Sequence, residues 1–402
     1  MDLNAFAWLL TEPGQRLLAE AVERTAEPEA DPLEVGARLR RTTADGTPDP
    51  AHVAAALTQA DLRRRAEPKF GPASARMYFT PEGLEQATRS SVARHRAARL
   101  QAAGTRTVID LGCGIGGDLV ALAGAGLTVA GVDLDPVRVA VARANLAALG
   151  LGGAVEVADA EAVDHSPFDV AFADPARRSA RGRTFSVDDW SPSWPFVTTL
   201  LGRPACVKVA PGIDHELIPA PVEAEWVSDR GEVKEAALWG GWLATCRRRA
   251  TVIPSPGSGP APGGLATLTD EDQPEDVTVR PVGGFLYEPD GAVIRAGLVS
   301  AVAAGVQGGL LDEHIAYVTS DASFRSPFAR GFRVLEQLPH REKQLRAALR
   351  ERGVGRLTIK KRGVTVVPDE LRRRLALRGD AEATIVLTRA RGKGVCLLVE
   401  PF

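Results

Sequence analysis

Apolar and polar positions follow different rhythms along this chain. From residue 1 to about 75, apolar residues recur at helical spacing in "GQRLLAEAVERT", "DPLEVGARLRR" and "DPAHVAAALTQADLRRRA". Asp31-Pro32 and Asp49-Pro50 each set a capping acid before a proline suited to a first helical turn. Thr80-Pro81-Glu82-Gly83 repeats that start ahead of a basic helix that runs to about residue 100. From about 105 to 250 the rhythm changes. Short apolar runs, "TVIDL", "TVAGVDL", "AVEVA", "DVAFAD" and "ACVKVA", alternate with the helical stretches "GGDLVALAGAG" and "DPVRVAVARANLAALG". That alternation predicts a parallel, doubly wound sheet. "AEWVSDRGEVKEAALW" reads as a hairpin. Residues 254–276 have no period and are rich in Pro, Gly, Ser and acid, the composition of a linker. The last seventy residues read strand, helix, strand, helix, strand, strand.

The expected organisation is an N-terminal helical region (1–75), an α/β domain (76–253), a linker (254–276), a small α+β subdomain (277–330) and a small C-terminal α+β domain (331–402).

Composition narrows the function classes. A net charge of −2 over 402 residues gives no global attraction to nucleic acid or membrane, so such a partner needs a local patch. Cys113, Cys206, Cys246 and Cys396 are scattered, with no CxxC pair and no metal-ligand spacing to the six histidines. No metal is expected. Scattered cysteines fit a reducing compartment, and no signal peptide or membrane-length apolar run is read, so a cytoplasmic location is expected.

The most informative stretch is "TVIDLGCGIGGD", a strand, a glycine turn and a helix start. Gly112, Gly114 and Gly117 satisfy the dinucleotide fingerprint G-x-G-x-x-G, with an acid, Asp133, some twenty residues on. Gly112, Gly114 and Gly116 equally give D-x-G-x-G-x-G, with Asp110 two residues before the first glycine. In both readings the glycines admit a ligand close to the backbone and Asp133 can bind ribose hydroxyls. A carboxylate at 110 faces a pyrophosphate badly and suits the cationic amino-acid end of S-adenosylmethionine. The second pattern resembles motif I of class I S-adenosylmethionine-dependent methyltransferases, and "GVDLDP" resembles the acidic end of their second strand. That resemblance implies a Rossmann-like sheet and S-adenosyl-L-methionine as cofactor. It also implies Asp159, in "EVADAEAV", as the partner of the adenine amino group.

"FADPARR" ends the fourth strand. In amino-group methyltransferases of this class the same place carries an acid or amide, two prolines and an aromatic. The first side chain and a following carbonyl there accept hydrogen bonds from the target NH2. Asp174 and Pro175 match. Ala176 and Arg177 depart from the second proline and the stacking aromatic. The expected roles are Asp174 and Pro175 at the acceptor, with Arg177 or Arg178 on an anionic part of the substrate. Phe185, Trp190 and Trp194 lie just downstream as candidate stacking or loop-packing residues, and Lys208 ends the fifth strand at the same edge.

The whole layout resembles a bacterial family of class I methyltransferases with a C-terminal THUMP-like domain. The resemblance runs through "YFTPEGLEQAT", "DLGCGIGGD", "DPARR", "VKVAPGIDHELIP", "EWVSDRGEVKEA", "GGFLYEPDGAVIRAGL" and "LTIKKRG". "YFTPE" is also similar to the segment that helps cover the cofactor in trimethylguanosine synthases, which implies Phe79, Thr80 and Glu82 at that pocket. The THUMP resemblance implies RNA, transfer or ribosomal, as the partner. Charge agrees: residues 331–378 hold 11 Arg and 3 Lys against 5 acids. Lys360, Lys361 and Arg362 end a strand there, and Arg372–Arg374 lie on a helix. The expected activity is methylation of a base amino group or ring atom of RNA. Two alternatives stay open: a methyltransferase for small molecules or proteins, and a non-enzymatic RNA-binding protein that keeps the cofactor fold.

Overall fold

The computed structural model describes residues 2–27, 31–40, 49–177, 190–255 and 264–402. The chain divides into two units. One comprises Met1–Val209, Pro219–Val222 and Ala237–Ala244; the other comprises Ala210–Ile218, Glu223–Ala236 and Thr245–Phe402.

The first unit opens with helices α1 (Leu3–Leu9), α2 (Glu12–Thr25), α3 (Pro32–Leu39) and α4 (Pro50–Phe70). The carboxylates of Asp31 and Asp49 accept from the amides of Leu33 and Ala51, so both acid-proline starts form as the sequence predicts. Apolar faces of these helices, including Phe6, Leu18, Val53 and Phe70, pack on Met77, Tyr78 and Phe79 and on Ile115, Val141 and Ala144.

Two fully buried amides pin this layer. The Gln59 side chain donates to the Phe79 carbonyl at 2.6 Å and accepts from its amide at 3.0 Å. Asn145 accepts from the Tyr78 amide at 2.7 Å and donates to the carbonyls of Tyr78 and Ile115 at 3.0 and 2.8 Å. The helical layer is thereby tied to the glycine loop that contains Ile115.

Next come α5 (Pro81–Gln86), α6 (Ser90–Ala102), β1 (Thr107–Leu111), α7 (Gly117–Gly124), β2 (Thr128–Asp133), α8 (Pro136–Ala148), β3 (Ala154–Val157), β4 (Val170–Ala173), β5 (Ala176–Arg177), β6 (Trp190–Ser191), α9 (Trp194–Leu200) and β7 (Ala205–Val209). The parallel strands run β7-β4-β1-β2-β3. Asp110 of β1 is in register with Gly131 of β2 and Phe172 of β4. Chain direction across the sheet reverses between β1 and β4, the switch point where such sheets bind ligands beyond their carboxyl ends. β5 and β6 form a separate two-stranded ribbon, Arg177 opposite Trp190.

In the second unit β8 (Glu223–Asp229) pairs in parallel with β10 (Arg248–Ile253). The hairpin expected around "SDRGEV" forms between β8 and β9 (Glu232–Gly240), the latter shared between the units. Arg230 and Gly231 both have positive φ at its turn, the conformation tight hairpins require. The expected linker departs from its reading: Ala266–Thr269 forms β11, antiparallel to β10, and Asp270–Asp272 a single 3-10 turn. Backbone pairing with β10, from Arg249 opposite Thr269 to Val252 opposite Ala266, makes a strand of a segment whose composition looks unstructured.

Then follow β12 (Phe285–Pro289), α10 (Gly291–Arg295), α11 (Val299–Gly305), β13 (Gly309–Asp312), β14 (Ile315–Ser320), β15 (Ala329–Leu338), α12 (Glu342–Glu351), β16 (Val354–Lys361), α13 (Pro368–Leu375), β17 (Ala381–Ala390) and β18 (Lys393–Pro401). They build one sheet in the order β13-β14-β12-β15-β18-β17-β16. Residues 277–330 and 331–402, separate in the sequence reading, thus share a sheet through the antiparallel β12–β15 pair. Leu345, Leu349, Leu371 and Leu375 of α12 and α13 cover one face, on Leu357, Ile359, Ile385 and Leu387. Leu286, Tyr317, Phe332, Val386 and Leu397 form the opposite core. No helix among the described residues is long and apolar enough to cross a membrane.

Candidate active site

A cavity of about 920 Å³ opens at the carboxyl ends of β1, β2, β3, β4 and β7. The loop after β1 forms its floor. Gly112 and Gly114 have φ of +99° and +54°, and a Cβ on either would project into space empty for 4 Å. Only glycine leaves that space to a ligand without strain. Gly116 has a different task. It does not line the cavity; a Cβ there would sit 3.0 Å from Ala142 Cβ. Its place in the motif reflects close approach of the loop to α8.

Two polar atoms at the wall, Asp110 Oδ1 and Thr88 Oγ1, are buried and have no partner among the described residues. Asp110 is 1% exposed. Burial holds its carboxyl well above the usual carboxylate range, and the negative neighbours Asp118, Asp174 and Asp133 push the same way, against Arg96. Arg96 itself is buried, ion-paired to Asp118, with its guanidinium 4.5 Å from the centre of the Phe172 ring. Burial also raises the Cys113 thiol, which keeps it protonated and inert in the wall.

Asp133 ends β2 with both carboxylate oxygens in use: Gly114 N donates to Oδ2 at 3.0 Å and Asp135 N to Oδ1 at 2.9 Å. Each oxygen keeps acceptor capacity toward the cavity. Asp159 is exposed two residues beyond β3 and lines the opening; its Oδ1 accepts from Glu161 N. Asp135 caps α8, as its sequence predicts.

At the end of β4, Asp174 and Pro175 line the same cavity. Lys208, on the neighbouring strand β7, donates from Nζ to Asp174 Oδ2 at 2.5 Å. Adjacent parallel strands put the two side chains at one height, so the pair follows from sheet order. The backbone of Arg177 lies in β5. Arg178 and Phe185 lie outside the described residues. Trp190 is buried and packs edge-on against Trp194, ring centres 5.3 Å apart.

The Phe79-Thr80-Glu82 expectation is not met in detail. Thr80 caps α5 through Gly83 N, Phe79 is buried in the helical core, and none of the three lines the cavity. The same segment contributes Gly83, Gln86, Ala87 and Thr88 instead. Gly83 is required by contact: a Cβ would lie 2.4 Å from Ile115 Cγ2.

In the second unit Lys360 is partly buried and ion-paired to Glu288 at 2.6 Å, so it holds β16 to β12 rather than standing out as a free surface cation. Arg362 lies over the Tyr317 ring. Lys361 is exposed.

This cavity fits S-adenosylmethionine. Glycines leave room beside the backbone, a buried carboxyl oxygen stands without a partner, and acids lie at and just beyond the ends of the second and third strands. Fold and site together define a class I methyltransferase. Residues 108–178 match the family described as a methyltransferase domain, residues 329–401 the THUMP domain-like family, and residues 2–66 a domain of unknown function, DUF8688. The chain is 43% identical over 342 residues to an uncharacterized S-adenosylmethionine-dependent methyltransferase of Mycobacterium tuberculosis, covering 82% of this chain and 90% of the relative, in both strains CDC 1551 and H37Rv. It belongs to that family and is an S-adenosylmethionine-dependent methyltransferase. Its fold is shared with a putative methyltransferase from Porphyromonas gingivalis W83, at a TM-score of 0.73 and 22% identity over 96% of this chain and 98% of that one.

Proposed function

We propose that the chain methylates RNA at a base amino group or ring atom, with Asp174 orienting the acceptor. The carrying observation is Asp174, at the carboxyl end of β4 on the cavity wall, with Lys208 bonded to one of its oxygens. The cofactor, when bound, supplies an already activated methyl, so the protein's task is positioning. Gly112 and Gly114 would admit it against the loop. Asp110 would hold its ammonium, Asp133 its ribose hydroxyls and Asp159 its adenine amino group. The second Asp174 oxygen would accept the acceptor N–H and so fix where the nitrogen lone pair points. Lys208 keeps the Asp174 carboxylate in one orientation for that purpose.

RNA as the substrate class is supported by the THUMP-like match over 329–401 and by the net positive charge of 331–378. The test is transfer of labelled methyl from S-adenosylmethionine to total RNA from a strain lacking the gene, with Asp174→Ala in parallel. Incorporation into one RNA size class, lost in the variant, supports the reading. No incorporation by protein that binds the cofactor removes RNA as the substrate.

A further inference from the structure

We infer that RNA docks on one end of the C-terminal sheet, where the carboxyl ends of β15, β16 and β17 meet the start of β18. This deepens the RNA reading and rests on it. β15 and β17 are each antiparallel to β18, and β16 is parallel to β17. That topology gathers onto one end segments far apart in sequence: the turn after β15, the end of β16, and the β17–β18 hairpin.

The six exposed cations there are Arg341, Lys343, Lys361, Arg389, Arg391 and Lys393. Among the described residues none of them enters an ion pair. The acids near them are largely engaged. Asp312 is buried and accepts from the amides of Gly392 and His314, with Arg389 close enough to lower its pKa. Glu342 pairs with Arg374 at 2.9 Å. Glu313, in the β13–β14 turn, is an exposed acid beside them.

Several other basic residues of this region are in use. Arg352 pairs with Glu336 at 2.5 Å, Arg356 with Glu382 at 2.7 Å, Arg372 with Asp369 at 2.6 Å and Lys360 with Glu288 at 2.6 Å. Sequence charge alone therefore points partly at the wrong residues. Three of the six cations at this end, Arg389, Arg391 and Lys393, lie beyond the run that counting singles out.

At the same end an open groove of about 700 Å³ runs between Val282 and Val395, with Gln337, His340 and Lys393 on its walls. Lys393 places a cation there for a phosphate, while Gln337 and His340 offer neutral hydrogen-bonding groups and the valines an apolar surface for a base or sugar. Unpaired cations around a groove of this mixed character complement a polyanion with unstacked bases.

The experiment compares binding of labelled total cellular RNA to the full chain, to Arg389→Ala/Arg391→Ala/Lys393→Ala, and to the ion-paired control Arg352→Ala/Arg356→Ala. Cofactor binding, measured in each, reports that the protein is folded. The hairpin variant is expected to lose about tenfold in affinity at about 0.1 M salt, with the slope of log K against log salt reduced by about 2 to 3. The control is expected to change less than about threefold, its cations being paired already. Wild-type binding with an unaffected hairpin variant, or equal losses in both variants, would overturn this face and leave the RNA reading standing. No RNA binding by the wild type would overturn both.

Discussion

Replacing Asp110 by asparagine keeps the shape of the side chain and removes its charge. The carboxyl is buried among other acids, and its pKa is raised chiefly by desolvation. An acid whose pKa is higher folded than unfolded contributes stability at low pH and loses it as pH rises through the folded value. Cofactor-free wild type should therefore lose stability across that window, and Asp110→Asn should not. An ammonium bound at Oδ1 reverses the balance by favouring the carboxylate, so below the raised pKa cofactor binding should release a proton. A hydrogen bond to a charged partner is worth about 1.5–3 kcal/mol, which is about 10- to 150-fold in Kd. Titration calorimetry with S-adenosylmethionine, in two buffers of different ionisation enthalpy, measures affinity and proton release together. The variant should bind about 10- to 150-fold more weakly and release no proton. S-adenosylhomocysteine carries the same ammonium and should weaken equally. Wild-type affinity in Asp110→Asn, or unchanged proton release, would refute the assignment of this carboxylate to the ammonium.

Asp174→Ala should leave cofactor affinity intact while abolishing transfer, and Lys208→Met should slow transfer about tenfold or more by freeing the Asp174 carboxylate, with Lys208→Arg retaining part of the rate in the same assay. Gln59→Ala leaves the Phe79 amide and carbonyl buried without partners, which should destabilise the first unit by about 1–3 kcal/mol in urea unfolding. Asn145→Ala should do the same and also raise the Kd for cofactor, because it frees Ile115 of the glycine loop. Gly83→Ala, whose new methyl meets Ile115, should raise that Kd more than Gly116→Ala, which should act mainly through stability, by about 1–2 kcal/mol. In steady-state assays the KM for RNA should climb steeply between low and moderate salt while the KM for S-adenosylmethionine moves little, a contrast that equal slopes would refute.

What the sequence made legible was local. Asp133 and Asp174 follow apolar runs and Asp110 lies one residue before the end of another, and a parallel sheet brings such ends to one edge, so their place on the cavity wall was legible, while the roles expected of them came from the resemblance to class I methyltransferases. Asp31 and Asp49 were legible as caps for the same reason: cap and helix are neighbours in the chain. Partnerships across long separations were not. The bond from Lys208 to Asp174 depends on β7 lying next to β4. Lys360 looked like a free strand-end cation because Glu288, 72 residues away in sequence, is brought to it only by the sheet. Thr80 looked like a pocket residue, yet its hydroxyl caps α5, and Thr88, whose hydroxyl is left open at the cavity, ends the stretch "YFTPEGLEQAT" without any feature of its own to mark it. Gly116 fits the cofactor pattern, yet its conformation answers to Ala142.

The distribution of charge bears on the proposed RNA reaction. Seven carboxylates line the cavity against Arg138 and Lys208. That field suits a cationic sulfonium and ammonium and opposes a phosphodiester. An RNA strand drawn by its phosphates would be turned away from the very site where one of its bases must react. On the RNA reading, affinity for the backbone would then reside elsewhere, on cations such as those proposed at the end of the C-terminal sheet. The cavity then needs only to accept a neutral group, which its acids can hold by accepting N–H bonds without competition from phosphate. A base everted from its strand meets that requirement; a substrate whose reacting group carries its own phosphate does not.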